Sequence, residues 1–531
     1  MLGSTAQRVF QLAVLASCVT LHIALGLMAL AAAVAVYRLF LHPLATVPGP
    51  KWAAVSNMWH ALHVRNGRVG GLARTLHQKY GPMVRVGPNE VWFNSKEAFD
   101  QIYCPGKGFE KSDFYLATCL NKPRINWLMK PHFEDSLDLL SERDMKRYRV
   151  QRRLVGRIYH ASNVARYEQV LDGVVQRAVT ELEAMGGQEV DLAEWMHIIA
   201  VECLGACVLS WSPGLIKRRS DGGTLYHGHQ AWRRKSVFGL FPLAAKLELV
   251  WPGFGRAFAK LLGVTYKTPA GFRSFFPDVG RRVLRRIKSG PRRATGRGKG
   301  QNVRDDLMGQ LVGLHQENAG FSQDYLKKMA VTNFGAGHET LASTLTSTLA
   351  MISSRAAVQK QMREEMARQA GPACWTRARA PVYTRAAIKE AMRLCPVMGM
   401  SLPRVTPAGG MRVHGRWFGP GTIVGCNPVA LQRNQDVFGL DAGCYRPERW
   451  LDDRETRAME RYMLIWGGGA RMCPGRPLAE LVVYKVVTGL VERFNMDVGL
   501  PGDECQPSYF LCLMTGVKAR FRAIEGAMES C

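Results

Sequence analysis

The stretch Trp466-Gly467-Gly468-Gly469-Ala470-Arg471-Met472-Cys473-Pro474-Gly475 sets one cysteine among four glycines. Without Cβ atoms, such a loop can bring its backbone close to a flat cofactor. Backbone N–H groups there can point at the sulfur, and Arg471 adds a positive charge two residues before Cys473. Pro474-Gly475 breaks the loop, and residues 476–487 read as the start of a helix. A helix N-terminus also favours a thiolate. A glycine-flanked cysteine alone is only suggestive, so the residues upstream decide its meaning.

Two upstream motifs bear on it. Glu390-Ala391-Met392-Arg393 lies on an expected helix, and a spacing of three puts both charges on one face. An ordinary surface ion pair would read the same way. Pro447-Glu448-Arg449-Trp450 follows it, and then the cysteine loop. The other motif is Ala336-Gly337-His338-Glu339-Thr340, within an expected single helix over residues 325–355. Gly inside a helix costs about 1 kcal/mol against Ala, so close approach of a ligand is one reason to have it. An acid and a hydroxyl beside that gap suit proton delivery, although Glu-Thr pairs are common on helices.

In this order and spacing the motifs resemble the cytochrome P450 family. The loop matches the family pattern F-x-x-G-x-R-x-C-x-G at Gly469, Arg471, Cys473 and Gly475. Glu390, Arg393 and Arg449 match its structural triad, and residues 336–340 match its A-G-x-[DE]-T segment. Tyr148-Arg149-Val150-Gln151-Arg152 stands where the family has W-R-x-x-R, and Leu402-Pro403-Arg404 matches a further propionate-binding arginine. The resemblance covers roughly residues 37–521 and is nearest to membrane-bound fungal enzymes of the pisatin-demethylase-like group. Three departures stand out: Trp466 replaces the usual Phe, Tyr148 the usual Trp or His, and Leu341 follows Thr340 where a second Thr or Ser is common.

The resemblance implies a mainly α fold with small β-sheets, the cytochrome P450 fold, preceded by one N-terminal transmembrane helix. It implies haem b with Cys473 as the thiolate ligand of iron. Arg152, Arg404, Trp466, Arg471 and Gly475 would bind the cofactor, and Glu339 and Thr340 would handle protons. A thiolate ligand favours O–O cleavage. Electrons would come from NADPH through a separate reductase, whose acidic face would meet a basic surface at Lys146, Arg147, Arg149 and Arg153. The implied activity is a dioxygen-dependent monooxygenase, oxidising a hydrophobic small molecule in fungal secondary metabolism. Rival readings are detoxifying oxidation of a xenobiotic aromatic, a non-oxygenating thiolate-haem isomerase and a non-catalytic haem protein. An isomerase of that kind tends to lose the acid-alcohol pair that this chain keeps.

The 531 residues are 47% hydrophobic, and the formal charge is +28. Such a charge fits nucleic acid, an anionic membrane or an acidic partner. The basic run at residues 281–299 has no interleaved aromatic for base stacking, so it reads as a solvated loop and nucleic acid is not an expected partner. None of the 13 cysteines forms paired CxxC units, which argues against a zinc site. Cys203 and Cys207 read as core thiols, and all cysteines but Cys473 as free thiols in a reducing compartment.

Residues 9–37 contain no Asp, Glu, Lys or Arg, and exceed the ~20 residues needed to cross a bilayer. The run is too long for a signal peptide's apolar core. Arg38 and Lys51 follow it, so the positive-inside rule places the rest in the cytosol. The expected organisation is an anchor at residues 1–37, a proline-rich hinge at 38–51 and a catalytic domain at 52–531. The expected location is the endoplasmic reticulum membrane, crossed once. Residues 83–93 read as a small hairpin, and 141–209 as mostly helical. Residues 238–262 read as a loop, buried or dipping into the membrane. Short strands are expected near 411–424 and 509–521. Pocket-lining segments are expected at 114–127, 238–250, 397–402 and 509–514, with the helix before Gly337; they are apolar and aromatic.

Overall fold

The molecule is organised on one long helix, Gln323–Ser353, in a computed structural model. The structure describes residues 2–119, 123–129, 131–132, 139–289, 306–318, 320–368, 381–502 and 506–524. Part of the 281–299 basic run and of the 114–127 segment thus lies outside the described residues. Ser322 starts the central helix by accepting the N–H of Tyr325 at 3.2 Å. Gly335 and Gly337 do not interrupt it. A Cβ at Gly337 would stand 3.1 Å from Leu204 Cδ1, so this glycine serves close helix packing.

That neighbour, Leu192–Leu209, is mostly apolar, with Glu194, His197 and Glu202 as its acid and imidazole groups. It is apolar enough to cross a membrane, but 89% of it is buried inside the fold. Its Cys203 and Cys207 are buried and unbridged, and burial pushes both thiols up. Helices Glu168–Glu183, Val382–Leu394 and Arg476–Arg493 complete the helical core. No disulfide forms among the described residues.

A second core lies under a five-stranded sheet, ordered Met83–Gly87, Glu90–Phe93, Ile423–Cys426, Arg404–Val405, Glu110–Lys111. The first two strands form the antiparallel hairpin, with Val84 opposite Trp92. Ile423–Cys426 joins in parallel, with Val424 opposite Val91. Valine and aromatic side chains suit such a pleated, half-buried surface. A three-stranded sheet pairs Phe494–Val498, Lys518–Ala523 and Glu189–Asp191. The expected strands near 411–424 are a short hairpin, Met411–Val413 with Arg416–Phe418, and the sheet strand Ile423–Cys426.

The 238–262 segment differs from its expected loop form. It continues the helix Thr224–Gly239 into two short helices, Pro242–Val250 and Pro252–Leu261. Both prolines sit at helix starts, where a missing N–H costs nothing and the fixed φ suits the helix. Leu243, Val250, Trp251 and Leu261 remain exposed there.

The N-terminal helix Leu2–Val36 continues as a π-helical turn, Tyr37–Leu41, so helical structure runs past residue 37. Phe10–Leu41 has a mean hydropathy of 2.3, and none of it is buried in the fold, which makes it a candidate membrane span. The hinge packs on the domain: Leu44 and Val47 are buried, and Arg85 Nη1 donates to the carbonyls of Arg38 (2.8 Å) and Leu44 (3.2 Å).

Candidate active site

The cysteine loop is built from two short 3₁₀ turns, Leu464–Trp466 and Gly469–Arg471, before the helix Arg476–Arg493. Gly467 and Gly469 have φ of 76° and 58°, where other residues are strained. A Cβ on Gly469 would also strike the Tyr103 carbonyl. Gly475 adopts an ordinary φ of −78°. The Cys473 N–H donates to the Trp466 carbonyl at 2.8 Å, which folds the loop back on itself. The Trp466 ring stands beside Arg476, 6.0 Å from the guanidinium carbon.

Cys473 is exposed although many protein atoms surround it. Burial pushes its thiol up. The N–H groups of Gly475 and Arg476, with the charges of Arg152 and Arg476, pull the other way. Ala336 is likewise exposed although much of the central helix around it is buried. Tyr159 links the two sides: its hydroxyl donates to Asn333 Oδ1 at 2.6 Å, and it lies within electrostatic reach of Cys473.

Three arginines converge near Cys473. Tyr148 is buried and feels Arg152, Arg471 and Arg404 together with Cys473. Arg471 stacks on the Tyr148 ring at 4.0 Å and donates to the Arg143 carbonyl at 2.6 Å. Burial, and then the nearby Arg404, push its guanidinium down to about 10. Arg404 is buried and donates to the Pro403 carbonyl (3.1 Å) and the Tyr115 hydroxyl (3.3 Å). Arg152 Nη1 is buried with no partner. Among the described residues, no carboxylate lies within ion-pair distance of any of the three. Buried cations without anions are costly, so this set fits a ligand that brings its own carboxylates. The two propionates of haem b, with an iron open to a thiolate, meet that description.

Glu390, Arg393 and Arg449 are all buried together. Arg393 grips Glu390 with two bonds, Nε to Oε2 at 2.8 Å and Nη2 to Oε1 at 2.7 Å. Arg449 Nε donates to Oε1 at 3.2 Å, and Trp450 Nε1 to Oε2 at 2.8 Å. Burial alone would raise the Glu390 carboxyl, but Arg393 and then the Arg446 N–H and Arg449 hold it below its usual range.

Glu339 and Thr340 are adjacent yet face different surroundings, since successive helix residues are about 100° apart. Thr340 Oγ1 donates back to the Ala336 carbonyl at 2.8 Å. Glu339 Oε2 accepts from Trp232 Nε1 at 2.6 Å, while Oε1 is buried without a partner. Burial pushes this carboxyl up to about 7, against the pull of Trp232 and Lys235. Glu339 lines a cavity of about 520 Å³ together with Trp232, Lys235, Phe272, Phe276 and His338. A Cβ at Gly228 would collide with Glu339 Oε1, so that glycine lets the two helices meet over the acid.

Of the basic residues read as a docking face, Lys146, Arg149 and Arg153 are exposed on helix Met145–Gly156. Arg147 instead turns to Glu142, 3.3 Å away, and is only partly exposed. Trp232, His197 and Asp221, which contact the A-G-x-[DE]-T segment directly or in sequence, carry no motif that sequence reading could have used. His338 sits inside the A-G-x-[DE]-T segment, at its unspecified position.

The cysteine loop, the converging arginines and the central helix are the features of a haem-thiolate protein. Residues 47–517 match the model of the cytochrome P450 family, and the chain belongs to that family. Its relatives agree. The chain is 50% identical over 517 residues to cytochrome P450 monooxygenase sdnT of Sordaria araneosa, covering 92% of this chain and 93% of that one. It is 28% identical over 470 residues to a pisatin demethylase of Fusarium vanettenii, covering 87% and 85%. It is 26% identical over 498 residues to cytochrome P450 monooxygenase gsfF of Penicillium aethiopicum, covering 91% and 94%. The chain is a monooxygenase of the mainly α P450 fold, and the family implies haem iron with a cysteine thiolate ligand, a redox partner and a small-molecule substrate.

Proposed function

We propose that this chain is an NADPH- and dioxygen-dependent monooxygenase that oxidises a hydrophobic small molecule in fungal secondary-metabolite biosynthesis. The observation that carries the reading is the exposed Cys473 with Arg152, Arg404 and Arg471 nearby, arginines that lack carboxylate partners among the described residues. Haem bound there supplies the iron at which dioxygen is activated and one oxygen atom passes to substrate. Cys473 is its ligand, and the N–H groups of Gly475 and Arg476 stabilise the thiolate. Arg152 and Arg404 take the propionates, Arg471 ties the loop to residues 142–145, and Trp466 closes the loop through its carbonyl. Glu390, Arg393 and Arg449 fix the helix Val382–Leu394 to the segment before the loop. Glu339 carries protons and Thr340 orients them.

An aromatic cluster supports an apolar substrate: Phe510 stacks on Trp232 at 5.4 Å and meets Phe114 at 5.5 Å. Electrons come from NADPH by way of a separate reductase, meeting Lys146, Arg149 and Arg153. The N-terminal helix anchors residues 52–531 on the cytosolic side of the endoplasmic reticulum, with residues 38–51 as the elbow. The test compares metabolites of a fungal strain with and without the gene. The expected result is loss of an oxygenated compound and accumulation of a precursor, which microsomes holding the enzyme and a reductase then oxidise with NADPH. Identical profiles, with no NADPH-driven oxidation of any strain metabolite, would overturn it.

A further inference from the structure

Behind Glu339 runs a line of buried ionisable groups from three separate segments. His338 Nε2 stands 3.9 Å from Glu339 Oε2. On its other side, His338 Nδ1 meets His197 Nε2 at 2.8 Å, from helix Leu192–Leu209. His197 Nδ1 in turn meets Asp221 Oδ2 at 2.7 Å. Asp221 is fixed by two backbone N–H groups, Gly223 to Oδ1 (2.7 Å) and Leu225 to Oδ2 (2.9 Å). The exposures of Asp221, His197 and His338 are 2%, 0% and 3%. Phe275 and Phe276 cover the His338 ring, each at 5.3 Å.

The hydrogen-bond chemistry restricts what this line can hold. Asp221, accepting from backbone N–H groups and from His197, is ionised; burial would raise it, but the His197 bond and charge keep it low. His197 therefore keeps a proton on Nδ1. One further proton then has two places. In the first, it is on Glu339, His197 is neutral, and His338 donates Nδ1–H to His197 Nε2. In the second, Glu339 is a carboxylate, His197 is an imidazolium donating Nε2–H to His338 Nδ1, and His338 carries its hydrogen on Nε2, toward Glu339. His338 takes the Glu339 proton at Nε2 and gives up its Nδ1 proton to His197 Nε2, so the proton lost by Glu339 is balanced by the one gained by His197 and total charge is the same in both. A tie between helices would need only neutral amides, and burying ionisable groups costs free energy unless they are paired.

We propose that Asp221, His197 and His338 form a buried proton-holding arm behind Glu339, sharing one proton between its carboxyl and the imidazole pair. The three are positioning residues that act through Glu339, and the inference rests on the reading of Glu339 as a proton carrier given above. Other charged or titratable groups bear on the arm. Lys235 of helix Thr224–Gly239 acts on Glu339 and His338, and Tyr266 is within reach of Glu339. At the far end, Glu194 accepts the Asp221 N–H at 3.1 Å, and Tyr226 lies within reach of Asp221. Lys327 and Lys328 line the cavity that opens on His338 and Glu339, the route by which the proton is renewed from solvent.

The experiment follows the carboxylic-acid carbonyl band of Glu339 by infrared spectroscopy in the holoenzyme. The band is identified by its loss in Glu339→Gln and titrated in wild type, Asp221→Asn and His197→Gln. Without the Asp221 charge or the His197 ring, the imidazole pair no longer holds the proton. The low-pH plateau of the band should then rise while its midpoint falls, by about one pH unit. The alkaline limb of product formed per NADPH should move down with it. Should Asp221→Asn not accumulate folded, His197→Gln carries the same test. An unchanged plateau and midpoint in the folded, haem-loaded variants would reduce the arm to a structural tie, leaving the function of Glu339 intact. Full coupled turnover in Glu339→Gln would instead remove the proton-carrier reading, and the arm with it.

Discussion

At the scale of single residues, Thr340 and Glu339 divide the work of one short segment in the function proposed above. Thr340→Ala should leave folding and haem content unchanged, because its hydroxyl bonds only to carbonyls of its own helix, Ala336 and Gly337. NADPH and oxygen should still be consumed, with most turnover ending in hydrogen peroxide instead of product. A positioned proton donor contributes about 10²–10⁴-fold, so the product-to-NADPH ratio should fall measurably. An unchanged ratio would mean that water or substrate orients the proton. Glu339→Gln should slow oxygen uptake itself. At this scale sequence reading went far where chemistry repeats in a local pattern. Cys473, Arg471, Glu390 and Arg393 each stood in a motif that fixed their neighbours. It stopped where partners are distant: Trp232 lies 107 residues from Glu339, and His197 lies 141 from His338, joined only by helix packing.

At the scale of elements, helix Val382–Leu394 depends on the buried carboxylate of Glu390. Removing one member of a buried ion cluster typically costs about 3–5 kcal/mol, because the remaining charges lose their counter-charge. Glu390→Ala should therefore give little haem-loaded protein, and normal loading would show that the cluster is dispensable. The pH dependence has a definite sign. Glu390 is held below its ordinary 4.5 in the folded state, so its contribution is fully present above that value. It is lost as pH falls through the depressed folded value. Wild type should lose stability in acid over that range, and Glu390→Gln, folded but weaker, should show a shallower acid slope in thermal melting. Elements were legible where periodicity was long, as in Gln323–Ser353. They were misread where a residue has two uses. Residues 238–262 read as a loop, yet Pro242 and Pro252 start helices there, and Gly337, read as room for a ligand, also makes room for Leu204.

At the scale of the whole molecule, two stretches rich in exposed apolar side chains stand out among the described residues. One is Phe10–Leu41; the other comprises Leu243, Val250, Trp251 and Leu261 on the helix pair Pro242–Val250 and Pro252–Leu261. An exposed patch of this kind marks a contact surface. Deleting residues 1–41 should shift the protein largely to the soluble fraction with its haem retained, and Leu243→Ser with Trp251→Ser should release what remains bound. Retention of that combined variant on carbonate-washed membranes would show another attachment. The net charge of +28 favours anionic surfaces, with an attraction that falls as salt rises. The central claim, that all these elements assemble one haem site on Cys473, is tested most directly by one spectrum. The reduced, CO-bound wild type should show the Soret band of thiolate-ligated haem, and Cys473→Ser, purified and loaded alongside, should lack it. The same band in both would place the ligand on another residue and contradict the site described here.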